Sequence, residues 1–244
     1  MIRKALSGKE EEAFLFLNAL SWAERDPSVR LQSSRELYLL SGKNIAFMEG
    51  TGPEEDARKL LGENMWLKLV LPSSLCPTLF GGKGSSYAML GIEGTIGYDG
   101  KYDARMLSSR KDYEKHYDFL KKIKEFRSGS FTFGKKEYVE NELMLKERTM
   151  HRFIASIFSE DGEIISSVTY ANGILFTIAT LEEYRGMGYA RAAIGFALEN
   201  ASRLFPDKKF SVLLTDDERN MEFYKHIGFH HITEIRTIKY NSFA

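Results

Sequence analysis

The sequence predicts an α/β (α+β) chain built on a mixed, mostly antiparallel sheet with flanking helices. Three observations carry this. Asp161-Gly162 and Asn172-Gly173, both strong hairpin signals, separate three consecutive strand-like runs. A long amphipathic pattern, Arg110 to Arg127, precedes them. A glycine-rich turn opening a helix follows, and a strand, a helix and a strand then complete the chain.

The elements follow in order. Glu10 to Glu24 carries Phe14, Leu15, Leu17, Leu20 and Trp22 at spacings compatible with a helix, which Asp26-Pro27 stops. Glu36–Leu40 and Ile45–Met48 read as strands joined by a turn at Ser41-Gly42-Lys43-Asn44. Pro53 opens a helix through Leu60, because a first turn tolerates proline, and Gly62 stands as its C-cap. Met65 to Leu71 alternates as a strand that Pro72 ends. Seven glycines fall between Gly81 and Gly100, and Gly91, Gly94, Gly97 and Gly100 lie three apart. This stretch reads as a loop or a set of weak strands, and as the place for a boundary. It divides the chain into a smaller N-terminal α/β part, residues 1–95, and a larger part, residues 96–244.

The second part is more regular. Asp103–Leu107 reads as a strand. Arg110–Arg127 is a helix with Tyr113, Tyr117, Leu120, Ile123 and Phe126 on its inner face. Lys135–Lys146 is a second helix. Phe153–Phe158, Glu163–Tyr170 and Ile174–Thr180 are the three hairpin strands. A helix to Leu204 follows, with Ala193, Phe196, Ala197 and Leu204 inward. Phe210–Thr215 is a short buried strand, Arg219–Ile227 a helix ended by Gly228, and His230–Tyr240 a last strand.

Composition excludes several classes. With 43% apolar and 13% aromatic residues in 244, the chain has ample material for a core and is neither disordered nor fibrous. Lys+Arg and Asp+Glu are both 34, so the charge needed to hold nucleic acid or acidic lipid is not present overall. One cysteine, Cys76, rules out an internal disulfide and a thiolate-rich zinc site. No apolar stretch follows the N-terminus, and the best apolar run, Ala13–Leu17, is too short to span a membrane. A reducing, cytoplasmic setting is expected, with neither a membrane nor a nucleic acid as partner. Cys76, Trp22 and Trp66 read as packed side chains. His116 and His151 read as structural or exposed. His230 and His231 alternate across a strand and cannot share one metal. No metal site is expected.

The chemistry lies at the glycine turn. A helix start offers backbone N–H groups without helical partners and the positive end of the helix dipole. Glycines let a ligand approach closely, which suits a phosphate. A P-loop string is absent from the chain, and Gly81-Gly82-Lys83-Gly84-Ser85 fails its spacing. Gly186-Met187-Gly188-Tyr189-Ala190-Arg191 ends in arginine where a dinucleotide fingerprint needs a small residue. The pattern [RQ]-x-x-G-x-[GA] is met in full by Arg185-Gly186-Met187-Gly188-Tyr189-Ala190.

On that motif the chain resembles the GNAT superfamily of acyl-CoA-dependent N-acyltransferases. Asn220-Met221-Glu222-Phe223-Tyr224-Lys225-His226-Ile227-Gly228-Phe229 is similar to the family's later segment, and the element order from about Lys101 onward is similar too. The resemblance implies acetyl-CoA as co-substrate and an amine, of a small molecule, as acceptor. It implies that backbone groups of Ile178, Ala179 and Thr180 bind the pantetheine arm between two splayed strands. It implies that Arg185, Gly186, Met187, Gly188, Tyr189 and Ala190 cradle the pyrophosphate. Asn220 and Tyr224 would approach the arm and the sulfur, with Tyr224 the catalytic acid. The family's acidic base near the start of the fourth strand is not evident, since Asn172, Gly173 and Ile174 stand there. The sequence assigns no residue to deprotonating the amine; Glu182 or Glu183 is a guess at that base. The N-terminal part resembles a shortened, degenerate copy of the same fold without either motif. Two other readings stand beside this one. The first is an inactive acyl-CoA-binding sensor. The second is an aminoacyl-tRNA-using transferase, which would need no pyrophosphate turn.

Overall fold

The computed structural model describes residues 30–34, 37–41, 45–50, 55, 68–72, 85–124, 134–148, 151–206 and 210–239. The helix expected over 10–24, most of the one expected over 53–60, Trp22, Trp66 and Cys76 lie outside these residues. The chain forms two compact units: Met1–Gly91 with Leu214–Ala244, and Ile92–Leu213.

The unit Ile92–Leu213 is built on a strand meander. Its strands are β6 (Asp103–Met106), β7 (Arg152–Phe158), β8 (Ile164–Ala171), β9 (Ile174–Thr180) and β10 (Phe210–Thr215), in spatial order β10-β9-β8-β7-β6. The pairs from β6 to β9 are antiparallel, and β10 joins β9 in parallel. Local turns dictate this. Asn172 and Gly173 both take positive φ, 51° and 88°, as a type I′ hairpin turn requires.

Helices cover both faces. Helix α1 (Arg110–Lys122) starts at Ser109, whose hydroxyl accepts from the Asp112 N–H while Asp112 accepts from the Ser109 N–H, a reciprocal cap. Helix α2 is Lys135–Arg148 and α3 is Tyr189–Leu204. Successive β8 residues point to opposite faces. Ser167 meets His116 of α1, whereas Tyr170 stacks on Phe205 at the end of α3, so α1 and α3 lie on opposite sides. Every residue of β8 is consequently buried.

Two inner faces differ from the sequence pattern. In α1 the buried residues are Tyr113, His116, Phe119 and Leu120, while Tyr117 is only half-buried. The stripe is rotated toward a histidine because β8 supplies a polar partner for it. In α3, Ala193 and Ala197 are fully buried, but Leu204 is 47% exposed. The helix ends there. Phe205 leaves it in a non-helical conformation and takes the inward place, against Tyr170 and Phe153.

In the other unit the strands are β1 (Arg30–Ser34), β2 (Leu37–Ser41), β3 (Ile45–Gly50), β4 (Lys68–Pro72), β5 (Ser85–Glu93) and β11 (His230–Lys239). Their order is β1-β2-β3-β4-β11-β5. Three antiparallel strands, β1 to β3, meet a parallel fourth, β4, which repeats the pattern of β7 to β10. Helix α4 (Glu218–His226) is capped by Asp217, whose carboxylate accepts from the N–H groups of Arg219 and Asn220. Within the glycine-rich stretch, residues 85–93 form a regular strand, because β11 supplies an antiparallel partner along its length.

Candidate active site

The site is built from β9 upward. In its pairing with β8, Ser167 faces Ala179 and Thr169 faces Phe176, so β9 carries one extra residue between them. Thr177 has φ 51°, the mark of a bulge. On its other edge β9 meets β10 at a single recorded step, Val212 against Ile174, supported by the Val212 N–H donating to Gly173 O at 2.8 Å. Beyond that step the two strands share no ladder. The half of β9 that carries Ile178, Ala179 and Thr180 therefore has a backbone edge not taken up by β10. Phe176, Thr177 and Ile178 are correspondingly half-buried in an otherwise buried strand.

The chain then enters the turn. Leu181 is buried, and Glu182–Tyr184 makes one short 3₁₀ turn. Arg185 is exposed, and its Nε donates to Thr180 O at 3.3 Å, which ties the turn to the end of β9. Gly186 and Gly188 have φ of 78° and 87°, a conformation that costs a residue with a Cβ about 1–2 kcal/mol. Gly188 is the N-cap of α3, no side chain caps that helix, and its first turn holds no acidic residue. The N–H groups of Tyr189, Ala190 and Arg191 thus stand at a helix start, at the dipole's positive end, with no acidic side chain in that turn. Met187, at the tip, is 58% exposed. The six motif residues are consecutive, and the Arg185 bond ties them to Thr180, which is buried.

Asn220 and Tyr224 lie one helical turn apart on α4, in the other unit. Asn220 is exposed and Tyr224 is 8% exposed, packed against Phe223 and Phe229. Burial pushes the Tyr224 phenol up to about 12, so it is protonated, and able to donate, throughout the neutral range. Among the described residues no cluster of His, Cys, Asp and Glu could hold a metal, and no helix is long and apolar enough to cross a membrane. Glu182 forms an exposed ion pair with Lys124 at 3.0 Å.

Sequence reasoning missed two features. Tyr102 donates to Met187 O at 3.1 Å and packs on Tyr189. Its signal was the tyrosine that closes the glycine run, but the contact spans distant segments. The second is a buried polar group: His116 bonds Tyr138 on α2 and Ser167 on β8, and Ser156 donates to Ser167 at 3.2 Å.

Comparisons with known proteins bear on the family and the fold. The acetyltransferase (GNAT) family model matches residues 117–229. No curated protein sequence matches the chain. Among solved structures, the chain is similar to a GCN5-related N-acetyltransferase from Kribbella flavida, at TM-score 0.60 and 15% identity over 92% of this chain and 93% of that one. A conserved protein of unknown function from Staphylococcus epidermidis aligns at TM-score 0.59 and 9% identity, over 87% and 94%. A tandem GNAT protein from the clavulanic acid biosynthesis pathway aligns at 0.54 and 11%, over 95% and 96%. These likenesses are of fold. Together they show a mixed α/β chain with this fold, in which residues 117–229 match the acetyltransferase (GNAT) family model.

Proposed function

We propose that this chain is an N-acetyltransferase that moves the acetyl group of acetyl-CoA to a primary amine of a small molecule, by direct attack in a ternary complex. One observation carries the reading: a strand edge that parts from its neighbour after Ile174 leads directly into an uncapped helix start at Gly188. The first half suits an extended arm bonding as an added strand. The second suits a pyrophosphate.

On this reading the backbone of Ile178, Ala179 and Thr180 aligns the pantetheine arm. An N–H of that strand stabilises the negative charge that develops on the thioester oxygen. Arg185 and the N–H groups from Gly186 to Ala190 hold the pyrophosphate, and Asn220 orients the arm. The unprotonated amine attacks the thioester carbon, the C–S bond breaks, Tyr224 gives its proton to the departing thiolate, and the proton shed by the new amide nitrogen goes to solvent water, from which the Tyr224 phenolate is reprotonated. Burial keeps that phenol protonated, and so able to donate, at neutral pH. The domain division at residue 95 and a degenerate N-terminal copy belong to the same proposal. The repeat of three antiparallel strands and a parallel fourth in β1–β4, and the tandem GNAT protein among the similar structures, support the copy; the compact units differ from that division in grouping Leu214–Ala244 with Met1–Gly91.

The test is release of free CoA thiol from acetyl-CoA across a panel of small-molecule amines. Turnover with at least one amine is expected. Tight acetyl-CoA binding without turnover by any amine would favour the sensor reading, and no binding would refute both.

A further inference from the structure

We propose that the glycine-rich segment Gly94–Tyr102 is a strap laid across α3 that positions the phosphate turn, with Tyr102 fixing the peptide between Met187 and Gly188. The proposal rests on the reading of that turn as a pyrophosphate cradle.

The strap is held at successive points. A Cβ on Gly195 of α3 would stand 2.6 Å from Gly97 O, closer than real contacts allow, so a glycine at 195 is what lets the strap's backbone lie on the helix. The Tyr98 N–H donates to Glu199 Oε1, one turn further along α3, and the Tyr98 ring meets Phe196 edge-on at 5.4 Å. The Tyr98 hydroxyl donates to Tyr102 O. Tyr102 then reaches the turn. Its hydroxyl donates to Met187 O at 3.1 Å, and its ring lies 4.7 Å from that of Tyr189.

This last bond sets a direction. The C=O and N–H of a trans peptide point opposite ways. Tyr102 holds Met187 O on its own side, so the Gly188 N–H is turned away from Tyr102. A Cβ on Gly188 would lie 3.4 Å from the Tyr102 hydroxyl, which places that hydroxyl against the back of the turn. A peptide next to a glycine at φ 87° can reverse with little steric penalty, and the Tyr102 bond opposes the reversal. Tyr102 is a positioning residue: it acts on the ligand through the Gly188 N–H.

The experiment compares CoA with S-acetylpantetheine, which lacks the pyrophosphate, on the full chain. Tyr102→Phe keeps the ring and removes one neutral hydrogen bond, so CoA affinity should fall about threefold to tenfold while S-acetylpantetheine stays within about twofold. KM for acetyl-CoA should rise with kcat at saturation unchanged. Gly195→Ala, remote from the turn, should weaken CoA in the same sense. The double variant should lose no more than the larger single loss, because both changes act through one contact. Tyr102→Phe is conservative enough to carry the test if Gly195→Ala does not fold. Unchanged CoA affinity in Tyr102→Phe, or equal loss for both ligands, would overturn the strap and leave the acyl-CoA reading intact. A wild-type chain that binds neither ligand overturns that reading and the strap with it.

Discussion

Mild acid, between pH 6.5 and about 5, should destabilise this protein through His116. It is 1% exposed, between α1, α2 and β8. Nδ1 meets the Tyr138 hydroxyl, Nε2 meets Ser167 Oγ at 2.9 Å, and the ring stacks on Phe119. Burial first, and the Arg152 guanidinium second, push the imidazole from 6.5 down to about 3. The folded value lies below the unfolded one, so the unfolded chain takes up the proton first. The contribution is whole above pH 6.5 and is lost as pH falls from 6.5 toward 3. Each pH unit in that window costs about 1.4 kcal/mol, so a fall from about pH 6.5 to about pH 5 costs about 2 kcal/mol. Against a native stability of about 5–15 kcal/mol this is a readable shift. The assay is urea unfolding followed by far-UV circular dichroism, near pH 7 and near pH 5, for the wild type and His116→Gln. Glutamine keeps a donor and an acceptor but does not titrate. The wild type should lose about 2 kcal/mol more than the variant between the two conditions. Equal losses would refute the assignment of this acid sensitivity to His116.

Three further outcomes are expected. Gly188→Trp forces a bulky side chain at φ 87° against the Tyr102 hydroxyl, which should displace the turn and abolish CoA binding; calorimetry showing retained affinity would remove the turn from the site. Tyr224→Phe should lower kcat by about 10²-fold with a smaller change in KM for acetyl-CoA, and an unchanged rate with chemistry limiting would end its assignment as the acid. Glu142→Gln removes the partner of Arg152, whose Nη2 lies 2.7–2.8 Å from both carboxylate oxygens with side chains 6% and 11% exposed. Stranding that guanidinium should cost about 3–5 kcal/mol in chemical denaturation, and a loss of a few tenths would mean that the pair is solvated.

Much of the candidate site was legible because it depends on local backbone demands. Arg185 to Ala190 needs positive φ at Gly186 and Gly188, and the glycines advertise it. Asn172-Gly173 places β8 beside β9 for the same reason. Inner faces were less legible. A hydropathy pattern ranks Tyr117 above His116, yet His116 is the buried one, since Ser167 and Tyr138 satisfy its ring nitrogens. Leu204 scores as core but points outward, because the helix ends and Phe205 has the better place. Residues 85–93 read as loop or weak strand among their glycines, and pairing with β11, far later in the chain, decides for a strand.

By itself, the sequence determined the order of elements from Asp103 onward, the hairpins and the glycine turn, since each rests on torsions and neighbours a few residues apart. Only the tertiary structure decided which polar groups could be buried and what braces the turn. A histidine is tolerated in a core when partners from other elements replace water, as Tyr138 and Ser167 do for His116. The glycine run from Gly94 to Gly100 has no legible purpose until α3 lies beneath it and Tyr102 reaches Met187. Both depend on contacts between segments far apart in the chain, and no local pattern records those.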